Sequence, residues 1–212
     1  MAELLDADAV RAWMAGTAQA VIRERDQLTE LDAAIGDGDH GVSLQRGFTA
    51  VGAALAAAPE LSLPGTVLLL VGRTLVSSVG GASGPLYGSA LRAMGKALGD
   101  APGADGKQVG AALAAARDAI AGLGGARGGD KTMLDAWIPA VAGFEFALAG
   151  GGSLQGAALF AAGAAEGGAD ETVAMEARKG RASYLGPRSV GHLDPGAAST
   201  VLLFRALAES VS

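Results

Sequence analysis

Asp32, Asp37 and Asp39 crowd into the stretch LDAAIGDGDHG, Leu31 to Gly41, among Gly36, Gly38 and Gly41. Carboxylates so close repel one another unless a cation stands among them. The residues before them follow a helical pattern, and acidic groups at a helix C-terminus also oppose its dipole. An acidic helix end facing water is the plain reading; a hard cation is the sharper one. Mg²⁺ takes oxygen ligands and is commonly held by a few carboxylates together with substrate phosphates. The glycines permit turns with positive φ, so that carboxylates from a short loop can converge. His40 adjoins the cluster, placed either to donate to a phosphate or to cap the next helix.

Three familiar motifs fail here. Gly36, Gly38 and Gly41 spell G-x-G-x-x-G, but they follow a helix rather than a strand, and the intervening aspartates would repel a pyrophosphate. GGARGGDKT lacks phosphate-loop spacing, because Asp130 separates Gly129 from Lys131. An EF-hand needs a glutamate at its twelfth position, and counting from Asp37 reaches Phe48.

Three other segments bear on the same chemistry. GGASGP opens a helix, where free N–H groups and the dipole favour anions, and Ser83 adds a hydroxyl donor. GGDKT opens another, with Lys131 and Thr132 set either to meet a phosphate or simply to cap. ARKGRASYLGPRSVGHLDPG gathers Arg178, Lys179, Arg181 and Arg188 in an otherwise acidic chain. That basic segment either faces water or faces the aspartates across a phosphorylated ligand. Together these loops suit a metal-bridged nucleotide site, where positioning and charge neutralisation carry phosphoryl transfer. No residue reads as a nucleophile or general base.

The elements that must position these loops are helical. Apolar residues recur at helical spacing over about Asp8–Leu31, Val42–Ala58, Thr66–Ser78, Leu86–Leu98, Lys107–Leu123, Lys131–Leu148, Leu154–Gly167, Asp170–Ala177 and Ala197–Ser210. TVLLLV, Thr66 to Val71, is the best strand candidate, but it runs on into a helical pattern. The expectation is an all-α chain of roughly eight helices with four rich loops, forming a single domain over 1–212.

Composition agrees. Half the residues are apolar and only 4% aromatic, so small side chains let helices approach closely. A net charge of -6 argues against a nucleic-acid partner. The absence of cysteine excludes thiolate metal sites. The acidic start MAELLDADAVRAW does not read as a signal peptide. Phe146 to Ala165 carries no charge, but GGGSLQG in its middle reads as a loop rather than part of a membrane span. A soluble, cytoplasmic protein is expected.

LTELDAAIGDGDHG, SSVGGASGPLYGS, GDKTMLDAW and ARKGRASYLGPRSVGHLDPGAAST, in this order, resemble the nucleotide-binding subunits of dihydroxyacetone kinase, the DhaL type. The resemblance implies an eight-helix antiparallel barrel with ADP or ATP at one end. It implies two Mg²⁺ ions bridging the phosphates to Asp32, Asp37 and Asp39. It places His40, Gly41, Val42, Ser43, Ala82, Ser83 and Thr132 near the phosphates. Gly124, Met133, Arg181, Asp194, Pro195 and Gly196 would complete the pocket, with Met133 against the adenine. It further implies two partners: a DhaM-like phosphohistidine donor, and a DhaK-like subunit that holds dihydroxyacetone on a histidine. ADP would then stay bound as a coenzyme. In a second branch of the family ATP is consumed by a fused kinase; an ATP-dependent enzyme of unfused subunits is the first rival reading. A nucleotide-dependent regulatory module is the second. Gly38 departs from the family, which often carries alanine there.

Overall fold

The computed structural model describes residues 4–211. Met1–Glu3, part of the N-terminal segment read above as lacking a signal peptide, lie outside the described residues, as does Ser212. Among the described residues nine α-helices dominate: α1 (Ala7–Arg23), α2 (Arg25–Ile35), α3 (His40–Ala56), α4 (Pro64–Ser78), α5 (Ser83–Leu98), α6 (Gly106–Gly124), α7 (Leu134–Ala149), α8 (Leu154–Glu171) and α9 (Pro195–Ser210). Two short strands, β1 (Leu5–Asp6) and β2 (Gly103–Ala104), pair antiparallel.

Eight of the helices close a ring. Each of α3 to α8 packs against the next in sequence, α9 packs on α8, and α1 lies between α9 and α3. The expected eight-helix barrel is therefore present, with α2 as a ninth helix outside the ring, packed on α3. Alternate helices run in opposite directions, so α3, α5, α7 and α9 all begin at one end of the barrel.

The sequence explains why the ring closes. One apolar cluster runs from Leu5 to Val211 through all eight ring helices. Alanine lets these helices approach: α7 buries Ala136 and Ala140, and α8 buries Ala157, Ala158, Ala161 and Ala165. Trp13 ties α1 to α9, its Nε1 donating to the Leu203 carbonyl at 2.8 Å. Phe204 meets Trp137 edge-on at 4.9 Å between ring centres. Caps set several starts. Asp105 and Gln108 form a capping box on α6, and Pro195 stands at the first position of α9.

Three expected boundaries change. The helix drawn from Asp8 to Leu31 breaks at Glu24, where φ −94° and ψ 8° leave helical geometry. The apolar stripe of α1 does not continue beyond the break, and α2 buries only Leu28 and Ile35. No separate helix spans Asp170–Ala177. Helix α8 runs on to Glu171, tightens into a 3₁₀ turn over Thr172–Ala174, and ends in extended backbone at Met175. The helix expected from Lys131 begins at Leu134, because Lys131 takes φ +61°, in the left-handed region. TVLLLV is helical, inside α4. Among the described residues no helix is long and apolar enough to cross a membrane.

Candidate functional site

The four loops rich in glycine and charge meet at the end of the barrel where α3, α5, α7 and α9 begin. They enclose a cavity of about 370 Å³. Asp32, Asp37, Asp39 and His40 line one side, and Gly80 to Ser83 follow from the α4–α5 loop. Gly124, Thr132 and Met133 come from the α6–α7 connection, Arg181 from the basic segment, and Asp194, Pro195 and Gly196 from the start of α9. An apolar lining is supplied by Ile35, Leu86, Ile120, Ala126 and Leu134.

The acidic corner is built by the break between α2 and α3. Asp32, in the last turn of α2, accepts from the Asp39 N–H at 2.9 Å and the His40 N–H at 3.2 Å through Oδ2. One carboxylate thereby holds the first N–H groups of α3, which have no acceptor within their own helix. Gly36 makes room for it, since a Cβ there would lie 2.1 Å from Asp32 Oδ1. Gly38 has φ +73°, which glycine adopts without strain and alanine does not. The turn brings one oxygen from each of Asp32, Asp37 and Asp39 within 4.8 Å of one another. The donors are all carboxylate oxygens, the set a hard divalent cation such as Mg²⁺ prefers over softer metals. A positive group already rests against them, with the Arg181 guanidinium 3.0 Å from Asp37 Oδ2.

His40 is no competing ligand, because hydroxyls flank both its ring nitrogens. Ser83 Oγ lies 3.1 Å from Nδ1 and Ser199 Oγ 2.9 Å from Nε2. Behind Ser199, the Tyr87 hydroxyl sits 2.7 Å away and also reaches Thr200. Burial lowers the imidazole's affinity for its proton, against the opposing pull of Asp32 and Asp39. Burial pushes the Tyr87 hydroxyl up to about 12, so it stays protonated.

Three expected contact residues stand outside the cavity wall. Gly41 is buried against α2, Val42 is exposed, and Ser43 donates to Asp39 Oδ2 at 3.3 Å. Their contribution at this site is the first turn of α3, whose N–H groups point towards the acidic corner's end of the helix.

Lys131 differs most from its sequence reading. It lines the cavity, but its ammonium is engaged by backbone carbonyls rather than left free for a phosphate. It is fully buried and donates to the carbonyls of Thr172, at 2.6 Å, and His192. Asp135, which sequence reasoning missed, organises the loop before α7. Its carboxylate accepts from the N–H groups of Gly129 and Thr132, the latter at 2.7 Å. The only trace in the sequence is an acidic residue three places after Thr132, a capping-box spacing. Asp194 caps α9, accepting from Ala197 N–H at 2.7 Å. Burial pushes its carboxyl up to about 7, opposed by the Ala197 and Gly196 N–H groups and the Lys131 ammonium.

The comparisons with known proteins agree with this architecture. Residues 34–209 match the family model described as the DAK2 domain. The chain is 39% identical to "PEP-dependent dihydroxyacetone kinase, ADP-binding subunit DhaL" of Escherichia coli (strain K12), over 92% of this chain and 93% of that one. It is 41% identical to the "L-erythrulose 1-kinase" of Mycolicibacterium smegmatis, over 88% of this chain but only 32% of that longer one. Among solved structures, the dihydroxyacetone kinase from C. freundii in complex with AMP-PNP and Mg²⁺ superposes with a TM-score of 0.68 at 29% identity, covering 96% of this chain and 33% of that chain. By the family model and by near-complete alignment with its subunits, the chain belongs to the DAK2-domain family of dihydroxyacetone kinases.

Proposed function

We propose that this chain is the ADP-binding subunit of a multi-subunit dihydroxyacetone kinase and holds Mg-ADP in the cavity described above. The observation that carries the reading is an electrostatic contradiction. Four helix N-termini converge on the cavity and favour an anion. Three carboxylates at its side repel one. A polyphosphate accompanied by Mg²⁺ would satisfy both, the cation answering the carboxylates and the anion answering the helix ends. Asp32, Asp37 and Asp39 would hold the metal, two ions in this proposal. When bound, the metal neutralises charge on the phosphate oxygens and orients them for transfer. Ser83 and the first N–H groups of α5 face the phosphates, and Arg181 faces them from beside Asp37. Met133, Leu86 and Ile120 offer an apolar bed for the base.

The chain's own residues bind, orient and exclude water; none serves as nucleophile. The phosphoryl group therefore passes between partners. A DhaM-like phosphohistidine protein loads the bound ADP, and a DhaK-like subunit presents dihydroxyacetone. Alignment with the E. coli ADP-binding subunit over 93% of its length favours this arrangement. The 41% identity to a longer erythrulose kinase keeps one rival: a subunit that consumes ATP with a sugar-binding partner.

The test is to load the protein with labelled ADP and Mg²⁺, pass it through gel filtration, and chase with excess unlabelled ADP. Retained label, phosphorylated in place by a phosphohistidine protein, supports the coenzyme reading. Exchange within seconds, with ATP-driven sugar phosphorylation on adding a DhaK-like subunit alone, favours the rival. Metal analysis of the loaded protein tests the two-ion count.

A further inference from the structure

The segment 175–192 leaves the 3₁₀ turn after α8 and returns to the start of α9. On the way it carries Lys179, Gly180, Arg181 and Ala182 to the cavity wall. Its two ends meet in a narrow neck. The Gly191 N–H donates to the Val173 carbonyl at 2.8 Å, and the Asp194 N–H to Thr172 Oγ1 at 3.0 Å. The Ala177 N–H donates to Ser189 Oγ at 2.9 Å, and the Arg178 N–H to the Asp130 carbonyl at 3.0 Å. Its ends are close, and between them Arg181–Ser189 is wound into 3₁₀ turns kinked at Gly186.

Lys131 sits in that neck. Its ammonium joins the carbonyl of Thr172, on the outgoing strand, to that of His192, on the return. It is 1% exposed, on backbone at φ +61°, a conformation that costs a non-glycine residue energy unless its surroundings enforce it. A buried lysine also loses hydration, which only well-made hydrogen bonds recover. Both costs are borne by a side chain that contacts no part of the acidic corner. We infer that Lys131 is the positioning residue that clamps the neck of this loop and so sets Arg181 against the Asp37 side of the cavity. The inference rests on the nucleotide reading above for its consequence, which is slow release of Mg-ADP, but not for the clamp itself.

The clamp follows from the bonding pattern. Without the ammonium, two carbonyls on opposite sides of the neck lose their shared donor. The remaining neck bonds are single backbone or hydroxyl contacts. The loop would then open as a unit, taking Arg181 with it, while the barrel helices keep their own core.

Two variants of the full chain test this: Lys131→Met, which keeps the stem and removes the charge, and Ser189→Ala, which removes the neck bond from Ala177 N–H together with the hydroxyl's bond to the Gly186 carbonyl and leaves the buried charges untouched. The first measurement needs no ligand. Amide hydrogen exchange of Ala177, Arg178 and Gly191 should quicken in both variants, more in Lys131→Met, while core amides such as Leu91 in α5 keep their rates. The second is release of labelled ADP in the presence of Mg²⁺. Lys131→Met should release it at least about tenfold faster, the effect of losing one charge-assisted buried hydrogen bond. Unchanged exchange at those three amides in both variants would overturn the clamp. Equal acceleration of loop and core amides in Lys131→Met, with none at the loop in Ser189→Ala, would also overturn it, making Lys131 a general stabiliser. A loosened loop with unchanged ADP release would overturn the positioning role. Failure of the unaltered chain to bind Mg-ADP would instead overturn the nucleotide reading, and the exchange measurement would show that separately.

Discussion

Two clusters of like composition sit at the same end of this barrel and behave oppositely. One comprises Asp32, Asp37 and Asp39 with Arg181; the other comprises Asp130, Asp135 and Asp194 with Lys131. In the first, Asp37 and Asp39 are exposed and Arg181 reaches Asp37 from a side chain that is 68% accessible. In the second, all four residues are buried, at 8% exposure or less. Nearly every polar atom of the buried cluster is spent on backbone: Asp135 on Gly129 and Thr132, Asp194 on Ala197, Lys131 on Thr172 and His192. The exposed cluster has carboxylate oxygens to spare. A charged group whose hydrogen bonds are all satisfied internally holds structure. One with unsatisfied acceptors on a cavity is available to a ligand.

The largest test of that contrast is ligand stabilisation. At free Mg-ADP about 1,000 times its dissociation constant, stability should rise by about 4 kcal/mol. The gain should vanish with chelator and in Asp37→Ala or Asp39→Ala, whose stability without ligand should stay within about 0.5 kcal/mol of the parent. Equal melting temperatures with and without chelator would remove the distinction between the clusters.

Next is the buried side. Asp135→Ala leaves two partly buried N–H groups without their acceptor and Lys131 short of a nearby anion, so denaturant unfolding should show a loss of about 2 kcal/mol. A loss below about 1 kcal/mol would mean this carboxylate is no more structural than those on the cavity.

A pH series sharpens the contrast further. The folded Asp194 carboxyl keeps its proton up to about 7, whereas the unfolded one releases it near 3.8. The folded state therefore binds the extra proton between those values, and stability falls as pH rises through the window. The expected slope from this group is about 1 kcal/mol per pH unit near pH 5 to 6. It should appear as the difference between the parent and Asp194→Asn, measured by chemical unfolding. A flat difference would place Asp194 with the solvated carboxylates.

The smallest effect belongs to Arg181→Gln. Its bridge to Asp37 is exposed on both sides, so stability should change by less than about 1 kcal/mol. Mg-ADP affinity should fall all the same if Arg181 faces the phosphates. A stability loss as large as that of Asp135→Ala would show that the open cluster is structural too.

Much of this was legible in residue order. The period of apolar residues, the alanine-rich helices and the glycine-bounded breaks imply an all-α chain. Asp32, Asp37 and Asp39 stood out because a short loop cannot hide three like charges from one another. Those properties are local, and local chemistry is written in neighbouring letters. Other features were not local. The break at Glu24 depends on where α1 stops finding a core, and nothing in RERDQ marks it. Tyr87 and Ser199 lie far apart in sequence, yet the structure joins them behind His40. Lys131, read beside Thr132 as either a phosphate ligand or part of a cap, is engaged instead by two carbonyls at the neck of a distant loop. Sequence alone thus determined which side chains could bind a cation and a polyphosphate. The tertiary fold decided which charges stayed open to do so, because the burial and hydrogen bonding that satisfy a charge come from segments remote along the chain.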